Sequence, residues 1–208
     1  MPVIGNAITL GGGGGGGGPV IPSAYQRVEY VAIGSSGPYI DLGFVPLNHS
    51  VYADVMVVSY GGNVAIFGTE SDNTYFHMTE YSNKWYWGTH GTERNSAVVT
   101  AATGCRYELE YNIGSSYEVY ANSLLLGSGD QITTQAGNNL FIAKRKSRRG
   151  QDLRYYAFKV TDKSTGEVIR DLIPVYRKAD DVVGFWDTVN EVFYTNDGTG
   201  SFTAGPDV

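Results

Sequence analysis

The chain has 208 residues and a mass of 22.5 kDa, the size of one ordinary domain or of one domain with a tail. Its 28 Gly and 16 Tyr, beside only 17% charged residues, indicate a turn-rich β protein rather than a helical bundle. A net charge of −6 argues against general nucleic-acid binding, and one Cys excludes an internal disulfide or a Cys-based zinc site.

The first 26 residues carry no charged side chain. Residues 1–10, MPVIGNAITL, lack the basic start and the long apolar run of a secretory signal, and no window has the roughly 18 apolar residues of a membrane helix. The glycine run at 11–18 resists fixed structure because glycine has the most backbone freedom to lose. We therefore predict an apolar peptide at 1–10, a Gly/Pro tether at 11–22 and a folded domain at 23–208.

The apolar peptide has two interpretations. It is either a disordered terminus or an anchor that adds as a strand to the sheet edge of a larger assembly. The anchor hypothesis assigns the contacts to Val3, Ile4, Ile8 and Leu10.

From residue 25 onward, short segments alternate apolar and polar residues, which is typical of half-buried β-strands. Turn signals such as SSG (35–37), GSGD (127–130) and NDGTG (196–200) separate them. Only 94–103 is a weak helix candidate. This pattern predicts an all-β, two-sheet antiparallel jelly-roll sandwich.

Two strands predict specific faces. In segment 105–111 the alternation places one set of side chains on the face that points into the core. In segment 155–160 it places a second set of side chains together on one face. The first set is Cys105, Tyr107, Leu109 and Tyr111, and the second is Tyr156, Phe158 and Val160.

The segment YSNKWYWGTHG at 81–91 is the first candidate binding site. Alternation puts its two Trp on one face and its central Tyr on the other. Exposed aromatic rings stack on the apolar face of a sugar, and Asn and His supply hydrogen bonds; the alternative is that both Trp fill the core. The binding hypothesis assigns Tyr81, Asn83, Trp85, Tyr86, Trp87 and His90 to ligand contacts.

The segment KRKSRRG at 144–150 is the second candidate binding site. Five of the 15 basic residues lie in six positions, so we expect either a solvated loop that blocks edge pairing or a site for an anionic glycan, a phosphate-bearing polymer or an acidic protein. The anion hypothesis assigns Lys144, Arg145, Lys146, Arg148 and Arg149.

Catalytic patterns are weak. A retaining glycosidase needs two carboxylates about 5–5.5 Å apart, whereas Glu108 and Glu110 alternate along one strand, about 7 Å apart. His49, His77 and His90 are scattered outside any nucleophile or metal motif. We therefore expect no catalytic residues and a protein that is not an enzyme.

The C-terminal third carries specific motifs. LRYYAFKVT (153–161), RDLIPVYRK (170–178), VGFWDTV (183–189) and FYTNDGTGSF (193–202) follow one another, after an opening YQRVEYVAIGSSGPYIDLGF at 25–44. Together they resemble the LamG-like, concanavalin A-like jelly-roll domain of phage and prophage proteins from gut bacteria. By their own chemistry, Asp187 and Asn196 should cap turns, and Pro174 suggests an edge position or strand start. Four aromatics should be packing residues: Phe185, Trp186, Phe193 and Tyr194.

The resemblance implies a non-catalytic, virion-associated module (fibre, capsid decoration or tail tip) that binds a host-surface polysaccharide or a mucin-type glycan. The alternative is a structural capsid or tail decoration protein without sugar binding. On either view the peptide at 1–10 docks on a phage capsid or tail protein, the chain is made in the bacterial cytoplasm without a signal peptide, and it is displayed on the virion surface. Neither nucleic-acid binding nor membrane insertion is expected, and a homo-oligomer is compatible with the resemblance.

Many LamG-type domains bind one Ca²⁺ at a loop rim through Asp, Asn and backbone oxygens. By resemblance, the candidate ligands here are Asp72, Asp130 and Asp152, although they form no dense cluster in sequence. The family commonly carries a neutral loop where 144–149 is basic, so the basic run is a departure that weighs against a neutral sugar ligand.

Overall fold

A computed structural model describes residues 20–34, 37–59, 62–69, 76–89, 92–130, 138–145 and 148–208. For residues 89, 92–98, 148 and 149 only the main chain is described. The predicted anchor at 1–10 and most of the tether therefore lie outside the described residues. Within them, no helix is long and apolar enough to span a membrane.

The described chain forms nineteen β-strands. In chain order they are β1 Tyr25–Arg27, β2 Val31–Ile33, β3 Ile40–Asp41, β4 His49–Val57, β5 Val64–Gly68, β6 Phe76–Tyr81, β7 Lys84–Thr89, β8 Thr92–Thr100, β9 Arg106–Asn112, β10 Ser116–Ala121, β11 Leu124–Asp130, β12 Phe141–Ile142, β13 Lys144–Arg145, β14 Arg148–Arg149, β15 Leu153–Asp162, β16 Val168–Arg177, β17 Val182–Asp187, β18 Val192–Tyr194 and β19 Phe202–Ala204. The weak helix candidate at 94–103 is wrong, since most of it lies in β8.

The strands build two large antiparallel sheets and one ribbon. The eleven-stranded sheet runs β11-β10-β9-β4-β15-β16-β17-β18, with β1 beside β16 and with β2 between β15 and β19. The six-stranded sheet runs β3-β12-β5-β6-β7-β8, and β13 pairs with β14 as a separate ribbon. The two large sheets pack face to face around one core, so the predicted sandwich is confirmed.

Aromatic contacts join the inner faces of the two sheets. Phe67 of β5 meets Phe158 of β15 edge to face at 5.9 Å between ring centroids, and Phe76 of β6 lies 4.6 Å from Tyr111 of β9. Such pairs add about 0.5–1.5 kcal/mol each beyond the area they bury. These contacts fix which face of each sheet points outward.

A β-bulge in β15 changes one predicted face. The register with β4 shifts between Tyr155 and Ala157, so Tyr155 turns inward with Phe158 and Val160, all fully buried. Tyr156 turns outward and is half-buried. The grouping of Tyr156 with Phe158 and Val160 was therefore wrong, because an extra residue in one strand reverses the alternation on one side of it.

The strand at 105–111 confirms three of its four predicted core residues: Tyr107, Leu109 and Tyr111 are buried. Cys105 is exposed, which corrects the expectation that it lies in the core. The reason is that β9 begins at Arg106, directly after a turn with φ of +72° at Gly104. Cys105 therefore precedes the strand whose alternation would have buried it.

The C-terminal motifs play the predicted structural roles. The buried carboxylate of Asp187 accepts hydrogen bonds from the main-chain N–H groups of Asp171 and Val189, at 3.2 and 3.0 Å. The side-chain oxygen of Asn196 accepts from the N–H groups of Tyr39 and Gly198, which ties the C-terminal loop to the start of β3.

The four predicted packing aromatics are buried or half-buried: Phe185, Trp186, Phe193 and Tyr194. Trp186 lies in a second, smaller cluster with Ile173 and Val175, covered by Ile21 and Tyr25. Ile21, in the last part of the predicted tether, and Tyr25, just after it, therefore pack on the domain.

Pro174 lies within β16 rather than at a strand start or sheet edge. Along one edge of β16, residues up to 172 pair with β15, and residues from 175 onward pair with β1. Pro174 falls between these two neighbours, so its missing N–H removes no ladder hydrogen bond there. Its carbonyl still accepts from the Val28 N–H at 3.1 Å.

Candidate functional site

The β6–β7 hairpin carries the first predicted binding segment. Its two-residue turn, Ser82 and Asn83, has φ of 51° and 63°, the pair of positive values that a type I′ turn requires. The carboxylate of Glu80 accepts a 2.8 Å hydrogen bond from the Asn83 N–H. Burial raises the pKa of Glu80, and this hydrogen bond opposes the rise. A buried side chain thus holds the turn in place.

Both tryptophans of the hairpin face the core. Trp85 is 0% exposed and packs edge to face on Tyr107 at 5.0 Å, and Trp87 is 3% exposed. Their rings cannot present a face to a sugar, so the prediction that Trp85 and Trp87 contact a ligand is wrong. The alternative, that both fill the core, is correct.

Gly127 of β11 makes room for Trp87. A Cβ at Gly127 would lie 2.3 Å from Cζ2 of the indole. Trp87 therefore closes one side of the sandwich by packing directly on the backbone of the opposite sheet.

The tyrosines of the same hairpin face outward. Tyr81 is 45% exposed, and its ring lies 5.8 Å from that of Tyr86 at an interplanar angle of 71°. The exposed Lys84 stands directly across from Tyr81 in the β6–β7 register, and Asn83 is exposed at the turn. We call these residues, Tyr81, Asn83, Lys84 and Tyr86, the tyrosine surface; Lys84 is the member that the sequence interpretation missed. His90 lies outside the described residues.

The basic segment is not one solvated loop. Lys144 and Arg145 are only 5% and 6% exposed. The Lys144 ammonium lies 4.3 Å from the Tyr39 ring centroid and 4.2 Å from that of Phe141, as in a cation–π contact. The Cβ of Arg145 lies 3.2 Å from where a Cβ at Gly68 would stand. For Lys144 and Arg145 the predicted exposed anion site is therefore wrong, because both pack against the six-stranded sheet.

The rest of the basic segment is less fully described. Arg148 and Arg149 form β14, paired with Arg145 and Lys144, but their side chains are not described. Lys146 lies outside the described residues. An anion-binding role for Lys146, Arg148 and Arg149 stays a prediction.

The calcium candidates do not form a cluster in the described part of the chain. No group of three or more metal-ligating side chains occurs among the described residues. Asp130 ends β11 with its side chain exposed, and the Asp152 carboxylate accepts a hydrogen bond from the Ser59 hydroxyl. Asp72 lies outside the described residues.

The two carboxylates considered for catalysis, Glu108 and Glu110, stand on the outer face of the eleven-stranded sheet, since Leu109 between them points into the core. Glu110 accepts a hydrogen bond from the Ser50 hydroxyl at 3.2 Å. The main-chain N–H of Glu108 donates to the Asn122 side chain at 2.9 Å.

A partly buried ion pair on this outer face was not predicted from the sequence. The Arg106 guanidinium binds the Asp54 carboxylate through two nitrogens, with Nε at 2.6 Å from Oδ1. Asp54 is 5% exposed, whereas the Arg106 side chain is 51% exposed. The two residues lie 52 positions apart in the chain, so no local pattern in the sequence could have joined them.

No protein-family model matches the sequence, and no curated protein sequence matches it. Among solved structures, the fold is similar to that of a candidate carbohydrate-binding protein from Bacteroides ovatus, at a TM-score of 0.61 and 10% identity. The match covers 88% of this chain and 62% of that chain, so this chain spans less than two thirds of that structure's length.

Two further structures align less closely. Galectin LEC-6 of Caenorhabditis elegans has a TM-score of 0.45 at 10% identity, over 68% of this chain and 99% of its own. The CBM40 of a Ruminococcus gnavus sialidase, bound to α2,3-sialyllactose, has a TM-score of 0.48 at 12% identity, over 64% of this chain and 90% of its own. At such identities a likeness concerns the fold alone. The sheet order and the likeness to the first of these structures assign the chain a two-sheet antiparallel jelly-roll fold.

Proposed function

We propose that this domain is a non-catalytic carbohydrate-binding module whose sugar contacts lie on the tyrosine surface. The observation that carries the proposal is the outward pair Tyr81 and Tyr86, held by a hairpin whose other aromatics are committed to the core. A sugar ring has an apolar C–H face that packs on such rings, and its hydroxyl groups need polar neighbours. The jelly-roll fold is compatible with this role, as the comparison with the Bacteroides ovatus structure suggests.

The rigidity of the hairpin supports the proposal. Binding costs less when the contact residues are already ordered. The β6–β7 hairpin is fixed by its type I′ turn, by the Glu80–Asn83 hydrogen bond and by the packing of Trp85 and Trp87 in the core. Tyr81 and Tyr86 therefore lose little conformational freedom when a ligand binds.

The polar groups beside the rings suit hydroxyl recognition. Lys84 offers three donors, and the Asn83 side chain offers both a donor and an acceptor. Because both are exposed at the end of the hairpin, a ligand can reach them without entering a closed cavity. Such an open site fits a chain end or a stretch of a polysaccharide.

A binding role rather than a catalytic one is supported by the carboxylates. Retaining hydrolysis uses two carboxyl groups about 5–5.5 Å apart, whereas Glu108 and Glu110 follow the longer repeat of one strand. Both also stand on the eleven-stranded sheet, away from the tyrosine surface.

A glycan array with the full chain tests the binding proposal. Wild type should bind at least one surface polysaccharide or mucin-type glycan, and Tyr81→Ala should weaken that binding at least tenfold, which is about 1.4 kcal/mol. Tyr120→Ala is the matched control, since Tyr120 is a half-buried tyrosine on the outer face of the other sheet. Absence of wild-type binding, or equal binding by Tyr81→Ala, would overturn the proposal.

We further propose that the domain is displayed on a phage particle through residues 1–10, with the glycine run as a tether. Support comes from the resemblance of the C-terminal motifs to LamG-like domains of phage proteins. Deletion of residues 1–18 should release the protein from such particles while the particles stay intact. Particles that lose stability on this deletion would favour the structural decoration role instead, and a deletion variant that stays bound would contradict the anchor.

A further inference from the structure

The outer face of the eleven-stranded sheet carries a second polar and aromatic surface. One cross-strand row runs over β9, β4, β15, β2 and β19, and its members are Arg106, Met56, Arg154, Ala32 and Thr203. The small side chain of Ala32 stands beside Arg154, and Ala157 lies in the next row. Arg154 is half-buried on this face and stands between the longer Met56 and the small Ala32.

Two tyrosines frame this arginine. The guanidinium carbon of Arg154 lies 4.6 Å from the Tyr30 ring centroid. Tyr30 meets Tyr156 edge to face at 5.6 Å. The guanidinium carbon of Arg106 lies 3.8 Å from the Tyr156 ring centroid. The four side chains thus alternate in the order Arg106, Tyr156, Tyr30 and Arg154, and we call them the arginine–tyrosine row.

Two members of the row are held in place. The Asp54 carboxylate fixes Arg106, at one end of the row, through two hydrogen bonds. Tyr30, the neighbour of Arg154, packs on the backbone of Gly205, where a Cβ would lie 2.9 Å from three atoms of the ring. The Gly205 N–H also donates to the Tyr30 carbonyl at 2.8 Å. A ligand therefore meets side chains that are already positioned.

The two arginines differ in charge balance. Arg106 is neutralised by Asp54, whereas no carboxylate among the described residues pairs with Arg154. Asp152, two residues before Arg154, is instead bonded to Ser59. In the described part of the chain, Arg154 thus presents an uncompensated guanidinium on a protein whose net charge is −6.

We propose that the arginine–tyrosine row is a second binding site, specific for a carboxylate-bearing sugar residue of a polysaccharide. Arg154 binds the carboxylate with its planar fork of N–H donors, the geometry in which guanidinium groups pair best with carboxylates. The phenol groups of Tyr30 and Tyr156 contact the sugar hydroxyls beside it. This site lies on the opposite sheet from the tyrosine surface and does not depend on it.

The composition of the arginine–tyrosine row favours an acidic sugar over an acidic peptide as its ligand. The row offers one uncompensated positive charge flanked by aromatic rings, whereas an acidic peptide segment would gain from several. A single carboxylate per sugar repeat fits the single free guanidinium.

Affinity electrophoresis of the full chain tests the site. The probes are polygalacturonate, alginate and hyaluronan, each beside its methyl-esterified form, which keeps the sugar backbone and removes the charge. Wild type should be retarded by at least one acidic polymer and not by its ester. Arg154→Gln should weaken that retardation at least tenfold, and Arg154→Lys, which keeps the charge and loses the fork, should fall between.

Lys159→Gln is the matched control, because it removes one positive charge from the same face of the same strand. Lys159 already faces Asp171 at 3.8 Å, so its loss should change retardation less than twofold. Tyr81→Ala should leave binding to the acidic polymer unchanged, which separates this site from the proposed function.

Three results would overturn the proposal. They are no retardation of wild type by any acidic polymer, equal retardation of wild type and Arg154→Gln, or binding of polyglutamate in place of the polysaccharides, which would make the row a site for acidic protein. Unfolding midpoints of all variants, measured in parallel, show whether a loss of binding reflects a loss of fold.

Discussion

The hydroxyl group of Tyr155 donates a hydrogen bond of 2.6 Å to the carbonyl oxygen of Ile66, across the interface between the two sheets. Ile66 lies at a bulge in β5, where the register with β6 shifts between Ala65 and Phe67. The same carbonyl also accepts the Ala143 N–H at 2.8 Å. Burial raises the pKa of Tyr155 well above its usual value, so the phenol remains a donor at neutral pH. The bond ties the bulge in β5 to the centre of the other sheet.

Removal of this hydroxyl should destabilise the domain modestly. Tyr155→Phe leaves the Ile66 carbonyl with one hydrogen-bond donor, the Ala143 N–H, instead of two, so we expect a loss of about 1 kcal/mol in the free energy of unfolding. Urea denaturation followed by fluorescence measures it. Tyr117→Phe is the control, since no hydrogen bond joins the Tyr117 hydroxyl to a described residue, and it should cost less than about 0.5 kcal/mol. Equal losses in the two variants would contradict the role of the Tyr155 bond.

Gly127 should be intolerant of a side chain. In Gly127→Ala the new methyl group would overlap the indole of Trp87, and overpacking of this kind costs about 1–3 kcal/mol. Thermal unfolding should show a lower midpoint, with a change in tryptophan emission. Gly34→Ala is the control, because nothing lies within 4 Å of its Cβ position; a midpoint for Gly127→Ala no lower than that of Gly34→Ala would refute the prediction.

Glu80 should make stability depend on pH. Burial raises its pKa in the folded state, so at a pH above the usual glutamate value the unfolded state loses this proton first. The contribution of protonated Glu80 to the free energy of unfolding is therefore full at low pH, and it is lost as the pH rises through the pKa of Glu80 in the folded state.

Glu80→Gln removes the buried charge and keeps an oxygen that accepts from the Asn83 N–H. We expect the variant to be more stable than wild type at pH 7, with the difference shrinking toward pH 4. Urea titrations at several pH values measure this difference. A variant less stable than wild type at pH 7 would show that the carboxylate is compensated in the folded state.

Removal of Arg106 should destabilise the domain more than removal of the Asp54 charge. Arg106→Ala leaves a carboxylate buried without its partner, at a cost of about 2 kcal/mol after allowance for the exposed side of the pair. Asp54→Asn leaves Arg106, which is half exposed and can be hydrated, so the cost should be nearer 1 kcal/mol. Chemical denaturation of both single variants and the double variant gives the comparison, and a larger loss for Asp54→Asn would contradict it.

The sequence predicted the fold well because strand alternation is a local signal. Tyr107, Leu109 and Tyr111 followed it into the core, and the turn residues Asp187 and Asn196 cap the turns that their chemistry indicated. The errors occur where the backbone departs from regular alternation. The bulge at Tyr155 reversed one face, and the late start of β9 left Cys105 outside.

The candidate sites were harder to predict, because alternation shows which residues share a face but not which face is buried. Alternation correctly placed Trp85 and Trp87 on one face but left open whether that face meets a ligand or the core, and the structure places it in the core. Lys144 was expected in solvent, yet the rings of Tyr39 and Phe141 surround its ammonium group. No local pattern in the sequence joins Arg154 to Tyr30, because the two residues lie far apart in the chain. The one signal in the sequence is that Arg154 stands between the apolar Leu153 and Tyr155 in a strand, which predicts that its side chain points outward.

We propose above that the outward tyrosines of the β6–β7 hairpin contact sugar. The most direct measurement is the amide chemical-shift map of the full chain by NMR during titration with a glycan that it binds. We expect shifts concentrated at Tyr81, Asn83, Lys84 and Tyr86, with none beyond the noise on β10 and β11. Saturable shifts that spare this hairpin and lie elsewhere would contradict it.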